Sequence, residues 1–479
     1  MKRLTVLTIG LLSYVWVAAQ TGYAIDLSIK PYKNVYVYLG YHYGKQKALA
    51  DSTLLDDKGH GVFTGKTPLH GGIYFIVSPR KEILFELLID KQQQFSIAAD
   101  SANLPYSVTF TGSPENTLFQ SYTGFANETG QAIGKTNSEY SKAKNAKDSA
   151  AITARLKALT SKMQNFRDSI GAKNPGSLLA ALFNGMKEPA IPPAVQHPGG
   201  KYDSNYAYYY YREHYWDGIS FDDERWIRTP FFEPKLEKYY RDLVPPVPDS
   251  ISREVDNMLL YARTSPEMFK YLLVHFVQKY INPAYMGQDA VFVHLFDKYI
   301  NTGQADFFTE QYKDFMFKRA YSIMANLIGK PAANLEMVDT LNKPAALYSL
   351  KNDYVVICFW DPTCSHCKDI VPRVDSIYKA KWSKEGVALY GVMVEGGKDN
   401  WLKFIKDNNL KGWYHVYQLP EKQKADEAAG KPGFRQLYDV YQTPMLYLLD
   451  KDKRIVAKKL SYQQLDEILD LKIKNSKSK

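Results

Sequence analysis

The sequence VVICFWDPTCSHC occupies residues 355–367 and determines the fold predicted for the last third of the chain. Its first six residues, 355–360, form a continuous apolar run rich in β-branched side chains, which is typical of a central strand buried on both faces. Cys364-Ser365-His366-Cys367 follows this strand directly and is predicted to open a helix. Two cysteines at a strand-to-helix junction are the sharpest chemical signal in the chain.

A cysteine at the start of a helix lies at the positive end of the helix macrodipole, close to unpaired backbone N–H groups. Such surroundings lower the pKa of a thiol from about 8.5 to about 3.5–7.5, and the thiolate is the nucleophile. Cys367 lies one helical turn after Cys364, close enough to resolve a mixed disulfide. We therefore predict that Cys364 and Cys367 exchange disulfides with a substrate.

The residues around this motif predict an α/β domain over residues 331–479. Apolar runs at 387–394 and 445–449 indicate further strands, and an Asp/Lys turn separates the second run from another strand at 454–457. Ser461-x-x-Gln464 is a capping box for a final helix. Strands that alternate with helices are typical of an α/β fold.

The cysteine motif and three further features resemble the active site of thioredoxin-fold proteins. Trp360 precedes Cys364 by four residues, as the active-site tryptophan does in thioredoxins. Pro372 follows Cys367 by five residues, where thioredoxins kink the active-site helix. The segment YQTP at residues 441–444, which stands before a strand, resembles their cis-proline loop.

Over about residues 331–471 the chain resembles the TlpA/ResA-like exported thiol–disulfide oxidoreductases. The resemblance implies that Cys364 and Cys367 form a redox-active disulfide and that Pro444 shapes the substrate groove. The residues it implies as active-site support are Trp360, His366, Thr443 and Pro444. It also implies a protein disulfide or dithiol as substrate and a redox partner on the membrane side. No organic cofactor is required, because the electrons reside in the cysteine pair.

Two positions depart from the pattern of this family. Thioredoxins bury an acid six residues before the first cysteine, and Cys358 stands there instead. Many ResA-like proteins have a glutamate three residues after the second cysteine, and here that position is Ile370. Both acids are thought to move protons during exchange, and neither is present at its usual position here. We expect Cys358 to be an inert core thiol.

The first two thirds of the chain predict two further domains. Residues 20–113 alternate apolar and polar side chains in short segments separated by glycine-rich turns, which predicts an antiparallel β domain. Residues 114–330 show apolar residues at helical spacing, which predicts an all-α domain. The segment 211–236 resembles a helical domain of unknown function that precedes thioredoxin domains in bacterial envelope proteins. The β-rich part is similar to a domain of unknown function found in the same proteins.

The N-terminus is predicted to be a cleaved signal peptide, residues 1–19. Lys2 and Arg3 form a basic start, and residues 4–19 form an apolar run that is short for a membrane span. We place the start of the mature chain at Gln20, and the alternative is an uncleaved anchor helix. No cysteine lies near the cut, so we do not expect a lipoprotein. The expected location is the periplasm or cell envelope, where disulfides can persist.

Composition excludes several classes of protein. The chain has 479 residues with 45% hydrophobic and 23% charged side chains, which is typical of a globular protein and not of a disordered one. The 61 Lys and Arg residues against 51 Asp and Glu give a formal net charge of +10, without a concentrated basic patch. We therefore expect no nucleic-acid partner. Three cysteines are too few for a disulfide-built scaffold.

Other interpretations of the cysteine pair remain. The two thiols could form a static structural disulfide, or bind a metal as a metallochaperone does, although zinc requires four ligands and only His366 is near in sequence. A peroxiredoxin would have a threonine three residues before its reactive cysteine, and Asp361 stands there instead.

A different class of function is a binding protein. In that interpretation the first two domains bind a glycan or a peptide, and the thioredoxin fold is a scaffold. The tyrosines between residues 206 and 215 could stack on such a ligand, but aromatic rings also dominate protein cores.

Overall fold

The computed structural model describes residues 22–143 and 145–477, so the predicted signal peptide and the predicted mature start at Gln20 lie outside the described residues. The chain forms two compact units, of which the first ends at Leu243 and the second begins at Val244. Within the described ranges, no helix is long and apolar enough to cross a membrane.

Two four-stranded sheets open the first unit. The strands are β1 (Tyr23–Lys30), β2 (Tyr36–Tyr43), β3 (Gln46–Leu54), β4 (His60–Gly65), β5 (Gly72–Val77), β6 (Ile83–Ile89), β7 (Gln94–Asp100) and β8 (Thr109–Thr111). The sheet orders are β4-β1-β7-β8 and β3-β2-β5-β6. The neighbouring strands pair antiparallel, apart from β1 and β7, which pair parallel.

The alternating apolar residues of these strands form one core. Ile25 and Leu27 of one sheet and Val37 and Leu39 of the other are fully buried and belong to the same cluster. Because successive side chains of a strand point to opposite faces, the polar residues between them face away from this core. The structure therefore confirms the predicted β domain as a sandwich of two sheets.

Five α-helices among the described residues complete the first unit. They are α1 (Pro114–Tyr140), α2 (Ala146–Lys173), α3 (Leu178–Gly185), α4 (Ser204–Glu213) and α5 (Phe232–Asp242). The helical spacing of apolar residues predicted for this region is confirmed in α2, since Ile152 is buried and Phe166 stacks on Phe125 of α1 with ring centroids 4.1 Å apart. The tyrosine-rich segment around α4 is partly buried and partly exposed, since Tyr215 just beyond the helix is buried whereas Tyr209 is exposed.

The second unit combines helices with a six-stranded sheet. Its helices are α6 (Pro248–Tyr261), α7 (Pro266–Ile281), α8 (Asp289–Leu295), α9 (Glu310–Met324), α10 (Ser365–Ala380), α11 (Lys398–Asp407), α12 (Pro420–Ala428), α13 (Phe434–Leu437) and α14 (Tyr462–Lys477). Its strands are β9 (Val338–Asp339), β10 (Tyr354–Trp360), β11 (Ala388–Met393), β12 (Tyr414–Tyr417), β13 (Met445–Asp450) and β14 (Ile455–Lys458). The strand order in the sheet is β14-β13-β10-β11-β12-β9.

The sheet is covered on both faces, as the apolar run of β10 predicts. Cys358 and Trp360 lie in the core cluster that includes residues of α10 and α14. Ile357 and Phe359 lie in the cluster on the opposite face. β10 pairs parallel with β11 and antiparallel with β13, which places it at the centre of the sheet. This arrangement confirms the predicted α/β fold of the C-terminal part.

Helices α6 to α9 belong to the same compact unit as this sheet. Arg319 of α9 forms an ion pair with Asp439, and Asp289 of α8 forms one with Lys458 at 2.6 Å. All four side chains are buried. The helical region, confirmed between residues 114 and 324, is thus divided between the two units.

Candidate active site

The turn between β10 and α10 positions the cysteine motif. Cys364 is the N-cap residue of α10, and Ser365 is the first residue of the helix. The carboxylate of Asp361 accepts hydrogen bonds from the backbone N–H and the hydroxyl of Thr363, both at 2.7 Å. These bonds hold the turn that presents Cys364, and the location of the motif agrees with the sequence analysis.

Cys364 is a half-buried free thiol. Its sulfur faces the backbone N–H of Cys367, which lowers the pKa of the Cys364 thiol from its ordinary value, and the N–H of His366 acts in the same direction. This is the effect expected at a helix N-terminus, where N–H groups lack partners within the helix. The sulfur also lies 3.5 Å from the carbonyl oxygen of Thr443.

Cys367 has the opposite environment. It is fully buried, and burial raises the pKa of its thiol to about 11. The backbone N–H of Asp361 donates to its sulfur at 3.4 Å. Cys358, also fully buried in the strand beneath, has a pKa raised further by burial. At neutral pH, Cys364 is therefore the thiol of the three that ionises most readily.

The four residues expected to support the site occupy three kinds of position. Thr443 and Pro444 lie beside Cys364, and the peptide bond between them is cis. His366 is exposed at the first turn of α10 and lines the groove beside it. Trp360 is fully buried and lies below the motif in the core, with its ring 5.1 Å from that of Phe404.

A groove of about 410 Å³ lies between the start of α10 and the cis-proline loop. It presents apolar, hydroxyl and cationic side chains next to the motif. The lining residues are His366, Ile370, Arg373, Gln442, Thr443, Pro444, Met445, Leu446, Lys459, Leu460, Ser461, Tyr462 and Gln463. Thr443, whose carbonyl oxygen lies 3.5 Å from the Cys364 sulfur, is one of these residues, so the groove adjoins this cysteine.

Sequence reasoning missed three residues near this groove. Arg373 lies two turns into α10, and Lys459 follows β14, so neither stands in a recognisable motif. Asp439 opens the cis-proline loop with φ of 53° and is fully buried between Arg319 and Lys459. In the sequence, an Asp shortly before a proline indicates only a turn. No sequence pattern shows that this Asp pairs with an arginine 120 positions away.

The described residues contain no group of three or more His, Cys, Asp or Glu side chains that could hold a metal ion. His366, the residue that the sequence offered as a further ligand, lies in the groove lining with Arg373 and Lys459.

Three family models match successive parts of the chain. Residues 23–119 match DUF4369 and residues 138–320 match DUF5106, both domains of unknown function. Residues 328–458 match the AhpC/TSA family. The comparison with curated proteins found no match.

Several solved structures are similar to parts of the chain. A domain of a possible thiol-disulfide isomerase from Cytophaga hutchinsonii is 35% identical, with 32% of this chain and 97% of that chain covered and a TM-score of 0.28. A thioredoxin-like protein from Bacteroides caccae is 20% identical, with 60% of this chain and 99% of that chain covered and a TM-score of 0.45. A thiol:disulfide interchange protein from Bacteroides sp. is 24% identical, with 32% of this chain and 93% of that chain covered and a TM-score of 0.28.

The order of the matched families agrees with the order of folds along the chain, namely sheets, then helices, then an α/β sheet. The chain thus has a thioredoxin-like domain of the AhpC/TSA family in its C-terminal part, preceded by a DUF4369 domain and a DUF5106 domain.

Proposed function

We propose that this protein is a thiol–disulfide oxidoreductase that exchanges disulfides with protein substrates through Cys364 and Cys367. The observation that carries the proposal is the asymmetry of the two thiols. Cys364 is half-buried with a lowered pKa, whereas Cys367 is buried with a pKa raised to about 11. An accessible thiolate beside a protected second thiol is the arrangement that attack and resolution require.

The reaction proceeds in two exchanges. The Cys364 thiolate attacks one sulfur of a substrate disulfide, forms a mixed disulfide and releases the other substrate sulfur as a thiolate, which takes up a proton. Cys367 then loses its proton and attacks the Cys364 sulfur, which releases the second substrate thiol. The substrate gains two electrons and two protons, and the protein is left with a Cys364–Cys367 disulfide. The reverse sequence oxidises a substrate dithiol.

The cis-proline loop supplies the surface on which the substrate lies. Thr443 is next to the reactive sulfur, and its backbone can pair with an extended substrate segment in the manner of an added strand. Pro444 has no N–H, so it leaves no unpaired donor in the groove. Trp360 packs beneath the motif and keeps the floor of the site apolar.

We also propose that the protein acts outside the cytoplasm, as TlpA/ResA-like oxidoreductases do. The basic start and short apolar run of residues 1–19 support export with cleavage before Gln20. After each exchange the cysteine pair must be returned to its starting redox state by another protein. The proposed partners are therefore a protein substrate and a redox protein on the membrane side.

Trapping of the mixed disulfide tests the proposed function. We expect the reduced Cys367→Ser variant to accumulate a disulfide-linked adduct with insulin through Cys364, because the resolving thiol is missing. The Cys364→Ser variant should form no adduct and should lose insulin reduction. Cys358→Ser is the matched control, since it removes a thiol of the same core without touching the pair, and it should retain exchange. Non-reducing electrophoresis and mass spectrometry identify the linked residues.

Two outcomes contradict the proposal, one from this experiment and one from a parallel assay with hydrogen peroxide. One is insulin reduction by Cys364→Ser at the rate of the unmodified protein. The other is a Cys364-dependent consumption of hydrogen peroxide without any exchange with disulfides, which would indicate a peroxidase.

A further inference from the structure

A second cavity, of about 360 Å³, adjoins the cis-proline loop and extends the groove toward the helices of the same unit. Its far wall is the connection between α7 and α8, residues 282–288. Four residues line both spaces, which makes them one continuous surface from His366 to Tyr285. The shared residues are Gln442, Met445, Lys459 and Leu460.

The acidic residues that line this surface are buried. Asp439 is fully buried and accepts from Arg319 and Lys459. The Asp289 side chain is 6% exposed and pairs with Lys458, which is 2% exposed, at 2.6 Å. Each carboxylate is thus neutralised by a cation within the protein and presents little negative charge to a ligand.

The accessible charges on the surface are cationic. The side chain of Lys459 is 33% exposed, although its ammonium group also contacts Asp439. Arg373 is 55% exposed and pairs at 2.8 Å with Asp369, one turn earlier on α10 and itself 60% exposed, so this pair adds no net charge. Asp439 is shared between two cations, so the cluster of Asp439, Arg319 and Lys459 carries a net positive charge. Exposed Tyr285 and Tyr441 supply an aromatic rim.

We propose that this surface, here called the extended groove, binds acidic segments of protein substrates, with Asp or Glu side chains near the cysteine that Cys364 attacks. The inference rests on the proposed function and names its substrate class. Complementary charge guides a partner to its site and sets specificity. Lys459 lies at the junction of the two cavities, so it is the residue expected to contribute most to the preference.

Short peptides test the preference directly. The probes are three symmetric peptide disulfides in which the single cysteine is flanked by Glu, Gln or Lys. Each is mixed with the reduced protein, and the rate of Cys364–Cys367 disulfide formation is followed by acid quench and mass spectrometry. The rates are divided by those of dithiothreitol with the same peptides, because neighbouring charges alter the intrinsic reactivity of a disulfide.

We expect the corrected rate to be about fivefold higher for the Glu peptide than for the Gln peptide, the size of effect that a partly exposed ion pair provides. Lys459→Gln should remove most of this ratio, and Lys459→Arg should retain it. Lys451→Gln is the matched control, because it removes an equal charge at the opposite end of the β13–β14 hairpin. It should leave the ratio unchanged.

Salt gives a second measurement that needs no variant. Between about 0.01 M and about 1 M salt the Debye length falls from about 30 Å to about 3 Å, so the preference of the unmodified protein should fade. A ratio near one at low salt, a preference for the Lys peptide, or a ratio that survives both high salt and Lys459→Gln would overturn the inference. If no peptide oxidises the pair at all, the proposed function itself fails.

Discussion

At the scale of single residues, the site depends on two cysteines that are three positions apart and chemically unlike. Cys364 precedes the first helical residue and receives N–H groups that have no partner within the helix, which favours its thiolate. Cys367 points into the core, where a charge is costly. The same short motif therefore produces one thiol with a lowered pKa and one with a raised pKa.

This asymmetry determines how alkylation depends on pH. Only the thiolate reacts with iodoacetamide, so a lowered pKa shifts the half-maximal rate of Cys364 below the pH of an ordinary thiol, about 8.5. In Cys364→Ser, the rate of Cys367 should still rise only above the pH of an ordinary thiol, since burial, the main cause of its raised pKa, is retained. Cys358 should react only after unfolding. Peptide mapping of the alkylated protein measures all three, and a Cys367 that reacts at lower pH than Cys364 would reverse the assigned roles.

At the scale of elements, local patterns predicted more than long-range contacts. The apolar run of β10 predicted a strand buried on both faces, and the capping box is present, with Ser461 and Gln464 hydrogen-bonded in both directions. The parallel pairing of β1 with β7 could not be predicted, because no residue in either strand specifies its neighbour. The hydrogen bond from Arg319 to Asp439 could not be predicted either, since an arginine on a helix usually faces solvent.

This ion pair ties helix α9 to the cis-proline loop. We expect Asp439→Asn to destabilise the protein by about 3–5 kcal/mol, because it leaves the buried guanidinium of Arg319 without its counter-charge. Asp369→Asn is the matched control. It removes a carboxylate from an exposed pair, so its effect should stay within about 0.5 kcal/mol. Denaturant unfolding followed by tryptophan fluorescence gives the loss of unfolding free energy for both variants. Equal losses would show that the buried pair stabilises the protein no more than the exposed pair does.

At the scale of the whole molecule, the order of folds was predictable but their grouping was not. Composition and periodicity distinguish sheets, helices and an α/β region. They do not show that α6 to α9 form one compact unit with the α/β sheet. That grouping depends on single polar contacts such as Lys458 to Asp289 and to Asn326, where the ammonium group donates at 2.6 Å and at 2.7 Å. A buried lysine must find such partners, because an unpaired charge in the interior is costly.

The grouping has a consequence for fragments of the chain. A fragment of residues 331–479 contains the sheet and both cysteines but lacks Asp289, Arg319 and Asn326. Lys458 then loses Asp289 and Asn326, Asp439 loses Arg319 and keeps only Lys459, and the surface of α13 that α9 contacts meets water. We expect this fragment to be less stable than residues 244–479 by about 3 kcal/mol.

For a domain of this size, that difference lowers the melting temperature by about 10 °C. Circular dichroism of both fragments on heating measures it. Alkylation of Cys364 at neutral pH serves as the control that each fragment still forms the turn between β10 and α10, which lies far in sequence from the removed helices. If both fragments melt at the same temperature, α6 to α9 do not stabilise the α/β sheet. If the shorter one melts lower but retains the same preference for acidic peptides, the helices stabilise the site without contributing to the extended groove.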